Sequence, residues 1–192
     1  MRRDTLGRDH FEALYAARPD PWRLATSDYE RAKQLATLAA LPRARYRRAF
    51  EVGCALGLLT AGLAPRCDDL LAAEPVAAAL EEARARLAGQ SHVRFAPLFV
   101  PGEWPEGRFD LVVLSEVVDY LGAADVAALG RRVAGALEPG GDLLMVHWVG
   151  KKRGPPSGAE ASDRLAAAAG DALAVLRAER NPDYRLDVLR RV

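Results

Sequence analysis

The sequence predicts an α/β fold: a mostly parallel, seven-stranded sheet with helices on both faces and an amino-terminal helical cap. Three observations carry this. Short strand-like runs alternate with amphipathic helical runs from about residue 46 onward. Phe109-Asp-Leu-Val-Val-Leu-Ser115 is a nearly continuous apolar run, as in a strand buried on both faces. Residues 8–40 carry only helical spacing, and a helical segment before the first strand is placed to cap the sheet's edge.

Phe11, Leu14 and Tyr15 fall at i, i+3 and i+4, so residues 8–18 form a short helix, broken by Pro19-Asp-Pro-Trp22. Ser27-Asp-Tyr-Glu30 is a capping box, and it opens a second helix over 28–40 that Pro42 stops. Ala49–Val52 is the first strand, 56–64 a helix, Asp69–Glu74 a strand and 76–88 a helix ended by Gly89. Val93–Phe95 and Phe109–Ser115 are the next strands. A helix over 125–137 follows, with Val126, Leu129, Val133 and Leu137 inward, then the turn Pro139-Gly-Gly141 and the strand 142–149. A Lys-, Gly- and Pro-containing loop spans 150–158. A short Ala-rich helix and two strands, 173–178 and 184–189, close the chain.

The chain has 192 residues, which suits one domain: a cap or lid over 1–45 and an α/β unit over 46–192. There are 37 Ala, so the 50% apolar content overstates the buried area, yet Leu, Val and aromatics suffice for one core. No apolar run approaches the roughly 18–20 residues of a membrane span, and no signal peptide is read. Two cysteines, Cys54 and Cys67, do not make a disulfide framework, so a cytoplasmic location is expected. Net charge is +1, and the basic excess at Arg43, Arg45, Arg47 and Arg48 lacks the interleaved aromatics of a nucleic-acid surface. No nucleic-acid or membrane partner is expected, and the chain is expected to be a monomer or weak dimer.

In parallel sheets ligands bind beyond the carboxyl ends of the strands, where strand order reverses. This directs attention to Glu51–Gly57, Glu74, Ala96–Leu98, Ser115–Tyr120 and His147. Glu51-Val-Gly53-Cys54-Ala55-Leu56-Gly57 lies where a strand turns into a helix. It is not the dinucleotide fingerprint, because a Glu ends the strand and Ala55 stands at the middle Gly. Glu51 suits an amino-bearing ligand. Glu74, ending the next strand, can accept from both hydroxyls of a ribose. Together with Phe109-Asp110, Ser115-Glu116 and Leu137-Glu-Pro-Gly-Gly141, the order and spacing resemble class I S-adenosylmethionine (SAM)-dependent methyltransferases of Rossmann-like fold.

A narrower likeness covers almost the whole chain. Phe11-Glu-Ala-Leu-Tyr15, Pro19-Asp-Pro-Trp22, Ser27-Asp-Tyr29-Glu30-Arg31-Ala-Lys33, Leu114-Ser-Glu-Val117, Tyr120-Leu121 and Val146-His147-Trp148 resemble the nodulation protein S (NodS) family. That resemblance implies a SAM-dependent N-methyltransferase, forming S-adenosylhomocysteine (SAH), with an amine on a small molecule or amino sugar as acceptor. The chain departs from the family at Val118-Asp119, at Val149 and at 157–163, where a family His is lacking. The expected cofactor residues are Trp22, Tyr29, Arg31, Glu51, Gly53, Cys54, Ala55, Gly57, Glu74, Pro75, Ala96, Pro97, Leu98, Ser115 and Glu116. Tyr120, Trp148 and Glu160 are expected at the acceptor, and Asp119, Glu116 and His147 in catalysis.

Several of these have a plain alternative. Trp22 can anchor the cap or lie over the cofactor. Tyr29 and Arg31 are preferred to Lys33 as partners of the cofactor's carboxylate, but all three fit a solvated helix face. His147 can be a pocket-wall residue or a base, and Glu116 and Asp119 a charge pair at a helix start. Cys54 fits a packing role, since no base lies near it. No metal is expected, because no His is flanked at ligand spacing. An O-methyltransferase on a small natural product, or a SAM-binding module without catalysis, would share the cofactor residues.

Overall fold

A computed structural model describes residues 4–149 and 158–192. Two helices, α1 (Arg8–Ala17) and α2 (Asp28–Ala40), precede the sheet. They are followed by β1 (Tyr46–Val52), α3 (Leu58–Leu63), β2 (Cys67–Ala73), α4 (Ala77–Arg86), β3 (Val93–Ala96) and β4 (Phe109–Ser115). Then come α5 (Ala123–Ala136), β5 (Leu137–Trp148), α6 (Gly158–Ala169), β6 (Leu173–Arg180) and β7 (Tyr184–Arg191). The loop expected at 150–158 falls outside the described residues except for its last position. None of the described helices is long and apolar enough to cross a membrane.

The seven strands lie in the order β3-β2-β1-β4-β5-β7-β6. The first five are parallel, and β7 runs antiparallel to both its neighbours. The chain steps outward from β1 to β2 and β3, then returns to place β4 on the other side of β1. Connections after β1 and β4 therefore leave in opposite directions and open a crevice at the strands' carboxyl ends.

Alternation along the central strands feeds two cores. Val112 and Leu114 of β4, with Leu143 and Met145 of β5, pack against Val126, Leu129 and Val133 of α5 and Leu165 of α6. Leu111, Val113, Leu144 and Val146 point the other way, to Leu59 and Leu63 of α3 and Ala40 of α2. This two-faced burial explains the continuous apolar run. Strand β1 begins three residues earlier than the apolar pattern indicates, because Asp110 accepts from the Arg47 and Arg48 amides at 2.8 and 2.9 Å. The edge strand β6 is largely exposed, with Val175 and Leu176 among its outward residues.

The basic cluster sits at the sheet's amino-terminal end, opposite the crevice, and is neutralised there. Arg43 pairs with Asp142, Arg45 with Asp68, Arg47 with Glu138 and Arg48 with Asp69. Both cysteines are free and buried.

Helix α6 crosses α5 at Gly130, where a Cβ would stand 2.6 Å from the Leu165 carbonyl oxygen and 2.9 Å from the Ala168 Cβ. Helix propensity alone favours Gly130→Ala by about 1 kcal/mol. Packing reverses the sign, and urea denaturation is expected to show a loss of about 1–3 kcal/mol. A variant as stable as the parent would mean that α5 and α6 are not packed this closely.

Candidate active site

At the carboxyl ends of β1, β2 and β4, beneath α1 and α2, lies a cavity of about 400 Å³. Its floor is the turn after β1. Gly53 adopts φ +70°, and a Cβ there would stand 2.9 Å from Val117 Cγ2, so the bare backbone lets this turn and the loop after β4 approach. Ala55 is also left-handed, at φ +49°. The Cys54 amide donates to the Ala73 carbonyl at 2.9 Å, tying the turn to β2.

Two carboxylates face this floor. Glu51 is 1% exposed, and its Oε2 has no hydrogen-bond partner among the described residues. Burial pushes its carboxyl up to about 7, with the nearby Thr60 hydroxyl pulling the other way. Glu74, at the end of β2, receives the Ala55 amide on Oε2 at 3.1 Å and the Val76 amide on Oε1 at 3.0 Å. Burial also raises it to about 7, against those two amides and the Arg8 charge. Leu98, Phe99 and Val100 form an apolar wall beyond it.

The other end of the cavity is polar. Lys33, 3% exposed on the inner face of α2, donates to Glu116 Oε1 at 2.6 Å and Glu30 Oε1 at 3.0 Å. Glu116 follows β4 in a left-handed conformation, φ +56°, and also accepts from the Trp148 amide at 2.9 and 3.1 Å. Tyr29 lies under the Lys33 ammonium, whose nitrogen is 5.1 Å from the ring centroid. A seam of aromatic edges covers the cavity: Tyr15 against Trp22 at 5.5 Å, Phe11 against Tyr120 at 5.2 Å and Trp22 against Tyr120 at 6.4 Å. The Leu6 amide donates to the Tyr120 carbonyl at 3.0 Å, and Arg8 reaches the Pro75 carbonyl at 2.6 Å.

Trp22, Tyr29, Glu51, Gly53, Cys54, Ala55, Glu74, Pro75, Leu98, Ser115, Glu116, Tyr120 and Trp148 therefore line one cavity. The remaining expected residues do not. Arg31 is exposed and pairs with Asp28, because two residues along a helix turn it away from Tyr29 and Lys33. The cation on the inner face is Lys33 instead. Gly57 caps α3 and packs against Ala83 and Leu87. Ala96 acts through its carbonyl, which accepts the Glu74 and Leu98 amides, and Pro97 lies outside the lining. Glu160 is exposed on α6, away from the cavity. Asp119 and His147 are buried and do not line the cavity, although their neighbours Glu116, Tyr120 and Trp148 do.

His147 is fully buried, and burial holds its imidazole down to about 4, so it is neutral near pH 7. With Glu116 and Asp119 it forms a group whose potential ligand atoms lie within 4.8 Å of one another. Sequence spacing hides this group, since residues 116 and 147 meet only through the pairing of β4 with β5. Phe11 and Tyr15 were legible as an apolar stripe, but not as cavity lining. Thr37 could have been found by continuing the i, i+4 series from Tyr29 and Lys33.

The strand order, the glycine turn and the acid at the end of β2 define a class I methyltransferase fold, and comparison with known proteins agrees. The nodulation protein S (NodS) family profile matches residues 7–169, and the chain belongs to that family. It is 36% identical to nodulation protein S of Rhizobium tropici over 132 residues, 67% of this chain and 55% of that protein. The likeness to the Sinorhizobium fredii protein is 34% over 132 residues, 67% and 60% of the two chains. The chain thus matches a little over half the length of these relatives. A Pseudomonas syringae structure assigned to the methyltransferases is 43% identical, with a TM-score of 0.73 over 85% of this chain and 99% of that one. The N-methyltransferase NodS of Bradyrhizobium japonicum in complex with SAH superposes with a TM-score of 0.81 over 96% and 98% of the chains, at 23% identity.

The raised carboxyl of Glu51 gives a stability test. An acid whose folded pKa is raised costs nothing below its unfolded value near 4.5, and its full cost is present above about 7. Glu51→Gln is therefore expected to stabilise the protein at pH 8 relative to pH 4.5 by up to about 3 kcal/mol. Thermal or urea unfolding at the two pH values measures this, and equal effects at both would show that Glu51 is not held in a dry setting.

Proposed function

We propose that this chain is a SAM-dependent methyltransferase that methylates an amine on a small molecule or amino sugar. The observation that carries the reading is the cavity itself. A bare-backbone turn, a buried carboxylate with one unpartnered oxygen and a second carboxylate at the end of β2 converge at the strand-order reversal. These groups fit the cofactor. Glu51 would pair with its amino group, Gly53 would let the backbone approach it and Glu74 would accept from its ribose hydroxyls. Leu98, Phe99 and Val100 would cover the adenine, while Tyr29 or Lys33 would meet its carboxylate. When bound, the cofactor supplies an electrophilic methyl group on a sulfonium, whose leaving group is neutral and needs no acid.

The protein's contribution is alignment, which can supply as much as ~7–11 kcal/mol of such a barrier. The aromatic seam of the cap excludes water from the reacting centre. Residues 1–45 act as a lid in this reading, over the α/β unit of 46–192. Glu30 and Glu116 make the acceptor end acidic, which attracts an amine more than a neutral hydroxyl. Glu116 reaches the cavity and can take the proton that the amine releases, worth about 10²–10⁴-fold. His147 does not line the cavity, so it is not placed to take that proton. The N-methyltransferase activity in the name of the Bradyrhizobium relative supports the choice of nitrogen as acceptor.

Calorimetry with SAH, followed by methyl transfer to a panel of amines, glucosamine oligomers and hydroxyl compounds, tests the proposal. SAH is expected to bind, Glu74→Ala to weaken it by about 1–3 kcal/mol, and amines to be methylated. No SAH binding, or an unchanged Glu74→Ala variant, sinks the cofactor assignment. Methylation of hydroxyl compounds alone replaces the amine with an oxygen acceptor.

The Glu74 carboxyl also sets a pH dependence. With its value near 7, lowering the pH protonates the group that must accept the ribose hydroxyls. SAH affinity is expected to fall roughly tenfold between about pH 7.5 and pH 6. Flat affinity over that range would show that Glu74 does not bind as a carboxylate.

A further inference from the structure

Behind the acidic end of the cavity, the pairing of β4 with β5 brings Glu116, Asp119 and His147 together. One potential ligand atom from each lies within 4.8 Å of the others. Asp119 is 5% exposed and His147 is fully buried. Neither ring nitrogen of His147 has a hydrogen-bond partner among the described residues. An imidazole buried without partners is costly, and such a group calls for a bound ion or water. We propose that Glu116, Asp119 and His147 form a binding site for one divalent transition-metal cation, set into the wall of the cavity.

The chemistry of the donors supports a cation. One imidazole and two carboxylates form a mixed nitrogen and oxygen set, which suits Mn²⁺ or Zn²⁺ better than the all-oxygen shell preferred by Ca²⁺. Metal–ligand bonds of roughly 2.0–2.2 Å put neighbouring donors about 3–3.5 Å apart, so side-chain rotations that draw the atoms together by at most about 1.3–1.8 Å suffice. The local charge agrees. Glu30 and Glu116 both pair with the ammonium of Lys33, which offsets one of these two carboxylates. The nearby guanidinium of Arg185 is already matched by Asp187 and Asp163. On Glu116, Oε1 takes both the Lys33 ammonium and the Trp148 amide, while Oε2, among the described residues, takes the Trp148 amide alone and keeps lone-pair capacity. Three protein ligands leave coordination positions open, as in catalytic rather than structural metal sites. Because Glu116 also lines the cavity, a cation here would stand where a polar group of the acceptor could reach it. Binding of the cation does not depend on the methyl-transfer reading.

Mn²⁺ added to the chelator-treated protein tests the site. Electron paramagnetic resonance of the free ion is expected to show one Mn²⁺ bound per chain. Asp119→Asn and His147→Gln, checked for folding by circular dichroism, are expected to weaken binding at least tenfold. The chain has three histidines, His10, His92 and His147, which permits a second readout on the unmodified protein. Mn²⁺ should broaden the ring signals of His147 while those of His10 and His92 stay sharp, so the test survives if a variant fails to fold. No bound Mn²⁺, equal affinity in the folded variants, or broadening confined to His10 and His92 would overturn the proposal and leave the trio a water-binding pocket.

Discussion

The ammonium of Lys33 is the hinge of the structure. It is buried and shared by Glu30 on its own helix and Glu116 on the loop after β4. Without that tie, α2 would have no charged anchor to the carboxyl edge of the sheet among the described residues, and Glu30 and Glu116 would lose the ammonium they share. Removing one partner of a buried ion pair costs about 3–5 kcal/mol, because the other is left charged in a dry setting. Nature's alternative, an apolar pair, would hold the cap equally well but would not place charge beside an acceptor. The ion pair thus joins packing to chemistry at one point.

Around that tie the backbone is held in unusual conformations where ligands are expected. Gly53, Ala55 and Glu116 all have positive φ, at +70°, +49° and +56°. Glycine accepts this freely, while Ala and Glu do so at an energetic cost that the surroundings must offset. The offset is visible. The Ala55 amide is held by Glu74, and the Glu116 amide donates to the Val146 carbonyl at 3.0 Å while its side chain is clamped by Lys33 and Trp148. Strain at the two loops flanking the crevice, paired with rigid strands beneath, is the pattern of a preorganised site.

The architecture was legible because period and position agreed. A continuous apolar run in β4 meant burial on both faces, and Glu51, Gly53 and Glu74 stood at strand ends that the topology later brought to one edge. What stayed hidden had physical reasons. Helix phase decides between Arg31 and Lys33, and a motif that contains both does not resolve it until the inner face of α2 is known. The Ser27–Glu30 box is only half made. Ser27 accepts the Glu30 amide at 3.4 Å, but the Glu30 carboxylate turns to Lys33 instead of back to the cap. The contact of His147 with Glu116 and Asp119 crosses from one strand to its neighbour, and no local spacing encodes it.

The cavity beneath the cap is the proposed cofactor site. Residue-resolved hydrogen exchange, with and without SAH, tests this directly. Exchange is expected to slow in residues 8–35, where most of the aromatic seam and Lys33 lie, and at residues 53–57 and 74–76, whose Ala55 and Val76 amides bind Glu74. Protection confined to other parts of the sheet, or equal exchange in these segments with and without SAH, would contradict it.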